Sequence, residues 1–176
     1  MSADTEAMPP FTLRRLTVSD DARYRTLRLE ALHSHPEAFG TSWEEEASKP
    51  LAWFAERLAG NAVFGGWRGD SILVGVAGLH VPDAAKSRHK GLLWGMFVRP
   101  EARGTGLAAS LLARVIEHAA GTVEEVLLTV VTSNTAAVRL YTRAGFREYG
   151  LERRALKVEG RYYDELLMAL SVTPSR

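Results

Sequence analysis

Hydrophobic and polar residues follow two periods along the chain, one typical of strands and one typical of helices. Alternating or continuous apolar runs predict strands at residues 11–16, 61–68, 72–80, 91–98, 125–131, 146–156 and 162–170. Apolar spacing and helix-start signals predict helices after Asp20, after Ser42, over 50–59, after Gly106 and after Asn134. This order predicts an α/β (α+β) fold with a mixed, mostly antiparallel central sheet of six to seven strands flanked by helices. We expect a single domain over residues 11–171, a flexible tail at 1–10 and a short tail at 172–176.

The first helices carry charged residues whose role the pattern leaves open. Arg28 and Glu30 are expected on the more polar side of the helix after Asp20. Ser42 is the expected cap of a short helix that carries Glu44, Glu45 and Glu46. This acidic segment fits a lid that faces a substrate as well as it fits a solvated surface.

The stretch Leu92–Ala120 places a glycine-rich turn between an apolar strand and an amphipathic helix. The turn is Arg103-Gly104-Thr105-Gly106. The first backbone N–H groups of a helix have no partner inside it and favour an anion at that end. Because Gly104 and Gly106 lack side chains, an anionic group could reach the backbone there. The stretch therefore predicts a binding site for a diphosphate.

Other interpretations of the glycine turn fit it less well or leave it empty. A Walker A loop needs GxxxxGK[ST], and neither Lys-Ser nor Lys-Thr follows Gly106. A dinucleotide-binding fingerprint needs GxGxxG, and the third glycine is missing. On the evidence of the glycines alone, a tight turn that binds no ligand remains an alternative interpretation.

Composition and charge exclude several classes of function. The 176 residues, 46% hydrophobic and 24% charged, are ordinary for a globular protein. A formal net charge of +1 gives no reason to expect nucleic acid or a membrane as a partner. Without cysteine there is no disulfide, no thiolate metal site and no acyl-cysteine intermediate, and the five histidines show no metal-ligand spacing. The N-terminal residues do not have the pattern of a secretory signal, so a cytoplasmic location is expected.

Two motifs resemble those of the GNAT superfamily of N-acetyltransferases. The first lies at the glycine turn and the second lies on the helix after Asn134. The matching residues are Val98, Pro100, Arg103, Gly104, Gly106 and Ala108 in the first motif, and Asn134, Ala137, Leu140, Tyr141, Gly145 and Phe146 in the second. The order of predicted elements also resembles that superfamily, over roughly residues 11–170.

The resemblance implies acetyl-CoA as co-substrate and locates its binding site. In such enzymes the turn and the helix start wrap the pyrophosphate, which here means Arg103, Gly104, Thr105, Gly106, Leu107 and Ala108. The strand before the turn is splayed from its parallel neighbour and pairs with the pantetheine arm, which here means Met96, Phe97 and Val98. Gly95 is suited to a bulge in that strand. Backbone N–H groups near Phe97 or Val98 would hold the oxyanion of the intermediate.

The second motif implies two further roles. Tyr141 matches the tyrosine beside the thioester sulfur, whose phenol, with a usual pKa of about 10, could protonate the departing thiolate. The alternative is that this aromatic only packs its helix on the sheet. Asn134 matches the asparagine near the coenzyme and is also suited to cap its own helix, and the two roles are compatible.

The general base has no obvious place in the sequence. Many members of the superfamily carry a carboxylate on the central strand four residues before the valine of V-x-P, and Trp94 occupies that position here. The candidates elsewhere are Glu44–Glu46, of which we single out Glu45, and Asp164 or Glu165 at the start of the last strand. A water chain that carries the proton to bulk solvent is an equally good alternative to a base. For at least two of the three glutamates, a position on the solvated surface is explanation enough.

The predicted reaction is direct attack of a primary amine, on a small molecule or a peptide, on the acetyl thioester. The acidic run hints at a cationic acceptor, although a solvated face explains it as simply. Because the strand carboxylate is missing, a non-catalytic domain of the same fold that only binds an acyl-CoA is the alternative. A homodimer is compatible with the exposed edges of such a sheet.

Overall fold

A computed structural model describes residues 10–173. These residues form a seven-stranded sheet in the order β1-β2-β3-β4-β5-β7-β6. The strands are β1 (Thr12–Arg15), β2 (Ala62–Arg68), β3 (Ile72–His80), β4 (Lys90–Val98), β5 (Glu125–Val131), β6 (Arg147–Val158) and β7 (Arg161–Ser171). All neighbours are antiparallel except β4 and β5, which run parallel. The predicted fold class is confirmed; the predicted tails lie outside the described residues except for Pro10, Val172 and Thr173.

Helices cover both faces of the sheet. Within the described residues they are α1 (Asp21–Ser34), α2 (Trp43–Ala47), α3 (Leu51–Gly60), α4 (Leu107–Ala120) and α5 (Thr135–Arg143). α1 and α3 bury Tyr24 and Phe54 on one face, and α4 buries Leu107 and Leu111 on the other, where α5 also packs. Each fully buried leucine contributes on the order of 1.5–3 kcal/mol. None of the described helices is long and apolar enough to cross a bilayer.

The pairing of β4 with β5 ends early and leaves a gap between the two strands. Lys90–Leu92 pair with Glu125–Leu127, and β4 then continues to Val98 without a β5 partner. β5 instead stays paired with β7 as far as Val131. Because an unpaired strand edge leaves N–H and C=O groups free, this gap exposes the backbone of β4 in the middle of the sheet.

A bulge in β4 lies beside this gap. Trp94 and Phe97 pair with residues of β3 that are only two positions apart, so Gly95 and Met96 face a single residue. Gly95 has a φ of +63°, a left-handed conformation that glycine adopts without the strain of a side chain. The expected bulge at Gly95 is confirmed.

Candidate active site

The start of α4 is a helix N-terminus that its N-cap residue leaves uncapped. That residue is Gly106, with a φ of +84°, and it supplies no side-chain hydrogen bond to the first turn. A Cβ atom built on Gly104 or Gly106 would meet no other atom within 4 Å, so the turn borders open space. The free N–H groups and the dipole of this 14-residue helix favour an anion here. This geometry fits the predicted diphosphate site.

Two side chains hold the glycine turn in place. The hydroxyl of Thr105 donates a hydrogen bond to the carbonyl of Ala102 at 2.6 Å. Arg103 Nε donates to the carbonyl of Val98 at 3.3 Å, and Arg103 Nη2 lies 3.3 Å from His35 Nε2. Arg103 thus links the end of β4 to the end of α1 and keeps a positive charge close to the open helix start.

The predicted pantetheine contacts lie on the part of β4 that has separated from β5. Phe97 and Val98 are buried there and Met96 is half-buried. On the β5 side, the backbone of these residues has no strand partner within residues 10–173. An extended chain with amide groups could add to this edge as a peptide adds to a sheet.

Tyr141 lies on the inner face of α5 and exposes 8% of its surface. Its ring meets Phe146 edge-on, with the ring centroids 5.9 Å apart. Burial raises the pKa of the Tyr141 phenol to about 12, because apolar surroundings disfavour the charged phenolate. The phenol therefore keeps its proton throughout the neutral pH range.

Asn134 caps the helix that carries Tyr141. Its Oδ1 accepts a hydrogen bond from the N–H of Ala137 at 3.2 Å. One of the four free N–H groups of α5 is satisfied in this way. The capping role expected for Asn134 is present, and a contact with the coenzyme stays a prediction.

Among the glutamates of α2, Glu45 stabilises the helix itself. Its carboxylate accepts a hydrogen bond from the N–H of Ser42 at 2.8 Å, and the Ser42 hydroxyl accepts one from the N–H of Glu45 at 3.2 Å. The pair forms a capping box. Its hydrogen bond from the Ser42 backbone lowers the pKa of Glu45, which makes this carboxylate a weaker base. Glu44 is exposed to solvent.

Glu46 is buried in an ion cluster that the sequence pattern did not predict. Its carboxylate accepts hydrogen bonds from Arg28 Nε at 2.9 Å and Nη2 at 2.8 Å, and from Arg57 Nη1 at 3.3 Å. Arg28 is only 4% exposed, so the expectation that it lies on the polar side of α1 is wrong. Its burial is tolerated because the two-pronged guanidinium and the carboxylate satisfy each other. We call Arg28, Glu46 and Arg57 the arginine cluster.

Asp164 and Glu165 stand side by side on β7 in different environments. Asp164 Oδ1 accepts a hydrogen bond from the N–H of Arg154 at 2.8 Å and so supports an irregular part of β6. Glu165 is half-buried. Burial raises the pKa of Glu165, the nearby Glu152 raises it further, and a hydrogen bond from Thr129 opposes the rise.

The position of Thr129 shows which face of the sheet Glu165 occupies. Thr129 lies two residues beyond Leu127, where the pairing of β4 with β5 ends. Its two neighbours in β5 are buried in the core cluster of α4, so alternation directs Thr129 and Glu165 to the opposite face. That face also carries α1 and the arginine cluster. Glu165 therefore lies on the same face of the sheet as Arg28, but on β7, one strand beyond the gap, whereas Arg28 lies at the β4 side of the gap.

The split sheet, the open start of α4 and the buried Tyr141 are the features of a transferase that takes its acyl group from coenzyme A. Residues 28–146 match the acetyltransferase (GNAT) family, and the chain belongs to that family.

Two relatives illustrate the similarity in sequence. The chain is 30% identical over 164 residues to the N-alpha-acetyltransferase RimI of Mycobacterium tuberculosis, and the match covers 91% of both chains. It is 33% identical over 132 residues to a mycothiol acetyltransferase of Streptomyces scabiei, which covers 74% of this chain and 40% of that protein.

Two solved structures illustrate the similarity in fold. A GNAT-family acetyltransferase from Streptococcus pneumoniae has a TM-score of 0.81 at 22% identity, covering 92% of this chain and 99% of that one. YncA from Salmonella typhimurium, solved with its cofactor acetyl-CoA, has a TM-score of 0.77 at 22% identity, covering 94% and 96%. The predicted family, and with it an N-acetyltransferase that uses acetyl-CoA, are confirmed.

Proposed function

We propose that the protein moves the acetyl group of acetyl-CoA to a primary amine by direct attack, in the gap between β4 and β5. The observation that carries this proposal is the open start of α4, which adjoins the unpaired edge of the bulged strand β4. A coenzyme bound there would place its diphosphate at the helix start and its thioester at the gap.

The donor is proposed to bind mainly to backbone groups. Residues Arg103–Ala108 would contact the diphosphate, and Met96–Val98 would pair with the pantetheine arm. N–H groups near Phe97 or Val98 would stabilise the oxyanion as the amine attacks. The lack of a side-chain cap at Gly106 supports this assignment, since a cap would occupy the same N–H groups.

Tyr141 is proposed to assist the leaving group. The amine nitrogen attacks the thioester carbon, the carbon–sulfur bond breaks, and the sulfur leaves with the electron pair of that bond. With a pKa of about 12, Tyr141 is a weaker acid than an ordinary thiol, whose pKa is roughly 8.5. Its phenol therefore acts mainly as a hydrogen-bond donor that stabilises the negative charge building on the sulfur, because complete transfer of its proton to the thiolate is uphill.

For the base that takes the proton of the amine, we propose Glu165 in preference to Glu45 and Asp164. The carboxylates of Glu45 and Asp164 are engaged with backbone N–H groups. Glu165 lies on β7, one strand beyond the gap and on the face that carries the arginine cluster, and its raised pKa brings it closer to the range in which a base works well near neutral pH.

The acceptor is proposed to be a primary amine on a small molecule or a peptide. Relatives include proteins named for N-alpha acetylation, for mycothiol and for L-methionine sulfoximine and sulfone. These names support amines of both kinds and do not choose between them. The cytoplasmic location and the homodimer expected from the sequence stay predictions.

Acetyl transfer is tested by following the release of free thiol from acetyl-CoA with a panel of amines. The panel contains a peptide with an N-terminal alanine, L-methionine sulfone and a cysteine-based amine. Tyr141→Phe is expected to lower kcat about 100-fold while calorimetry shows unchanged binding of acetyl-CoA. Tyr149→Phe, on the exposed part of β6, is the matched control and should retain full activity.

Two results would count against the proposal in different ways. If acetyl-CoA binds but no amine releases thiol above background hydrolysis, the protein is a binding domain, as the missing strand carboxylate at Trp94 suggests. If acetyl-CoA does not bind, the donor site is assigned wrongly.

A further inference from the structure

The arginine cluster carries an excess of positive charge on the face of the sheet that holds Glu165. Two guanidinium groups share the single carboxylate of Glu46. The neighbouring Glu45 is held by Ser42 at the rim of a groove that Glu46 and Arg57 also line. Glu45 and Glu46 of the acidic run that hinted at a cationic acceptor are therefore engaged within the protein, while Glu44 stays exposed, and inside the arginine cluster two guanidinium groups share one carboxylate.

Arg28 keeps one nitrogen free at the point where acetyl transfer is proposed. Its Nε and Nη2 donate to Glu46. A Cβ atom built on Gly95 would lie 3.7 Å from the remaining nitrogen, Nη1. Nη1 therefore adjoins the β4 bulge, next to the strand edge assigned to the pantetheine arm, and within residues 10–173 no hydrogen-bond acceptor is assigned to it.

A buried hydroxyl in the same cluster lacks an acceptor for its proton. Tyr24 Oη is buried and Arg57 acts on it as a hydrogen-bond donor, but within residues 10–173 no acceptor is assigned to the Tyr24 hydroxyl. The charges of Arg57, Arg28 and Glu46 all act on the Tyr24 phenol, which places it in the arginine cluster. A buried donor without an acceptor is unfavourable, and an acceptor oxygen from a ligand would relieve the cost.

Aromatic rings hold the two guanidinium groups in position. Arg57 lies over the rings of Trp53 and Trp94, 4.6 Å and 4.5 Å from their centroids. Arg28 lies 5.0 Å from the centroid of Phe39. Because Glu46 occupies the paired Nε and Nη2 donors of Arg28, the donor left for a ligand carboxylate is the fixed Nη1 of Arg28, with the charge of Arg57 beside it.

We propose that the acceptor carries a carboxylate close to its amine, as an amino acid does, and that Arg28, assisted by Arg57, binds this carboxylate. The inference rests on the proposed function. The carboxylate of the acceptor lies on the β4 side of the gap at Arg28, and its amine points toward Glu165 on the β5–β7 side. Arg28 is then a specificity-determining residue for the transfer reaction.

The test compares L-amino acids with their carboxamides, which keep the amine and the side chain but lose the negative charge. Thiol release from acetyl-CoA gives kcat and KM for each pair. The carboxamide should show a kcat/KM at least about tenfold lower than the amino acid, because a site built for a carboxylate leaves its donors unpaired with the amide.

Arg28→Lys is the diagnostic variant, since it keeps a positive charge beside Glu46 and loses the planar fork. It should raise the KM for amino acids about tenfold or more and change the KM for carboxamides little. Arg14→Lys is the matched control, because Arg14 also forms a two-pronged pair, with Asp20. Calorimetric titration of acetyl-CoA into each variant checks that the fold and the donor site are intact.

Four outcomes would overturn the inference. The first is that carboxamides serve as well as amino acids. The second is that Arg28→Lys slows both to the same extent, which would mean that Arg28 acts on the thioester or only on the fold. Thiol release with amines that lack a carboxylate, and none with amino acids, would leave the proposed function intact and refute this inference alone. If no amine releases thiol, the proposed function itself fails and this inference fails with it.

Discussion

The two halves of the proposed site are built in opposite ways. The donor half comes from one continuous stretch, Met96–Ala108, together with Asn134 and Tyr141 on α5, and most of its polar groups belong to the backbone. The acceptor half consists of side chains, the arginine cluster and Glu165, that come from three helices and the last long strand. In the proposed site, backbone groups therefore bind the coenzyme, which many enzymes share, and side chains bind the particular acceptor.

This difference has a consequence for how the site can change. Backbone groups in a turn and a helix start depend little on which apolar side chains lie behind them. Side chains such as Arg28 or Glu165 can be replaced one at a time without moving the turn. The acceptor can therefore change while the donor site stays the same, and variants in one half should leave the other half working.

The largest expected effect is on stability, from Glu46→Ala. Removing this carboxylate leaves two arginines without their buried partner and should lower the free energy of unfolding by about 3–5 kcal/mol, as measured by urea denaturation. Glu44→Ala, on the exposed side of the same helix, should change it by less than about 0.5 kcal/mol. Where Glu46→Ala stays folded, acetyl-CoA should bind with unchanged affinity; weaker binding would show that the two halves are coupled.

The next effect is on the reaction, from Glu165→Gln. Because a base must be ionised, the activity of the native protein should fall as the pH drops through the raised pKa of Glu165. In the variant this fall in activity at low pH should disappear, and kcat/KM at neutral pH should be about 100-fold lower than in the native protein. Asp164→Asn, on the neighbouring residue, is the control and should still show the fall in activity at low pH.

The same variant also separates a functional role from a structural one. A raised pKa means that the folded state favours protonated Glu165, so its contribution to stability is present at low pH and is lost as the pH rises through that pKa. At neutral pH Glu165→Gln should therefore be at least as stable as the native protein. A clear loss of stability at neutral pH would indicate that Glu165 is needed for the fold.

The smallest expected effects come from Gly106→Ala and Gly160→Ala. Comparing these two variants separates the cost of backbone strain from the loss of ligand binding. Both glycines have left-handed φ values, +84° and +81°, and a Cβ atom on either would meet nothing within 4 Å. Each substitution should cost about 1 kcal/mol of stability from strain. Only Gly106→Ala should also weaken the binding of acetyl-CoA, about tenfold, through the displaced helix start. Equal affinities in the two variants would argue against the donor site at α4.

The donor half could be predicted from the sequence because its determinants are local. A strand, a turn with two glycines and a helix follow one another without interruption, and each leaves its own pattern. The left-handed conformations of Gly95 and Gly106 follow from residue type. The antiparallel pairing of β2, β3 and β4, the parallel neighbour after α4 and the closing hairpin could be predicted as well, since short loops favour antiparallel neighbours and the helix α4 makes the parallel pair. The position of β7 between β5 and β6 was not predicted.

The acceptor half could not be predicted, because its contacts join residues that are far apart in the chain. Arg28 and Glu46 are 18 positions apart, and a helix of five residues is too short for periodicity to show which glutamate faces inward. From the sequence alone an arginine is predicted to lie on the surface, and its burial can be recognised only once its partner is known. Choosing between Asp164 and Glu165 requires the register of β7 against β5, because a shift of one residue exchanges the two faces.

If acetyl-CoA binds in the gap between β4 and β5 as proposed, binding and folding of the chain are linked. A coenzyme that binds only the folded chain stabilises it by mass action, by about 2.7 kcal/mol at a concentration a hundred times its dissociation constant. Thermal unfolding at increasing acetyl-CoA concentrations measures this linkage as a rising midpoint. On this basis a preparation saturated with acetyl-CoA should also be cut more slowly by a protease that attacks the unfolded chain.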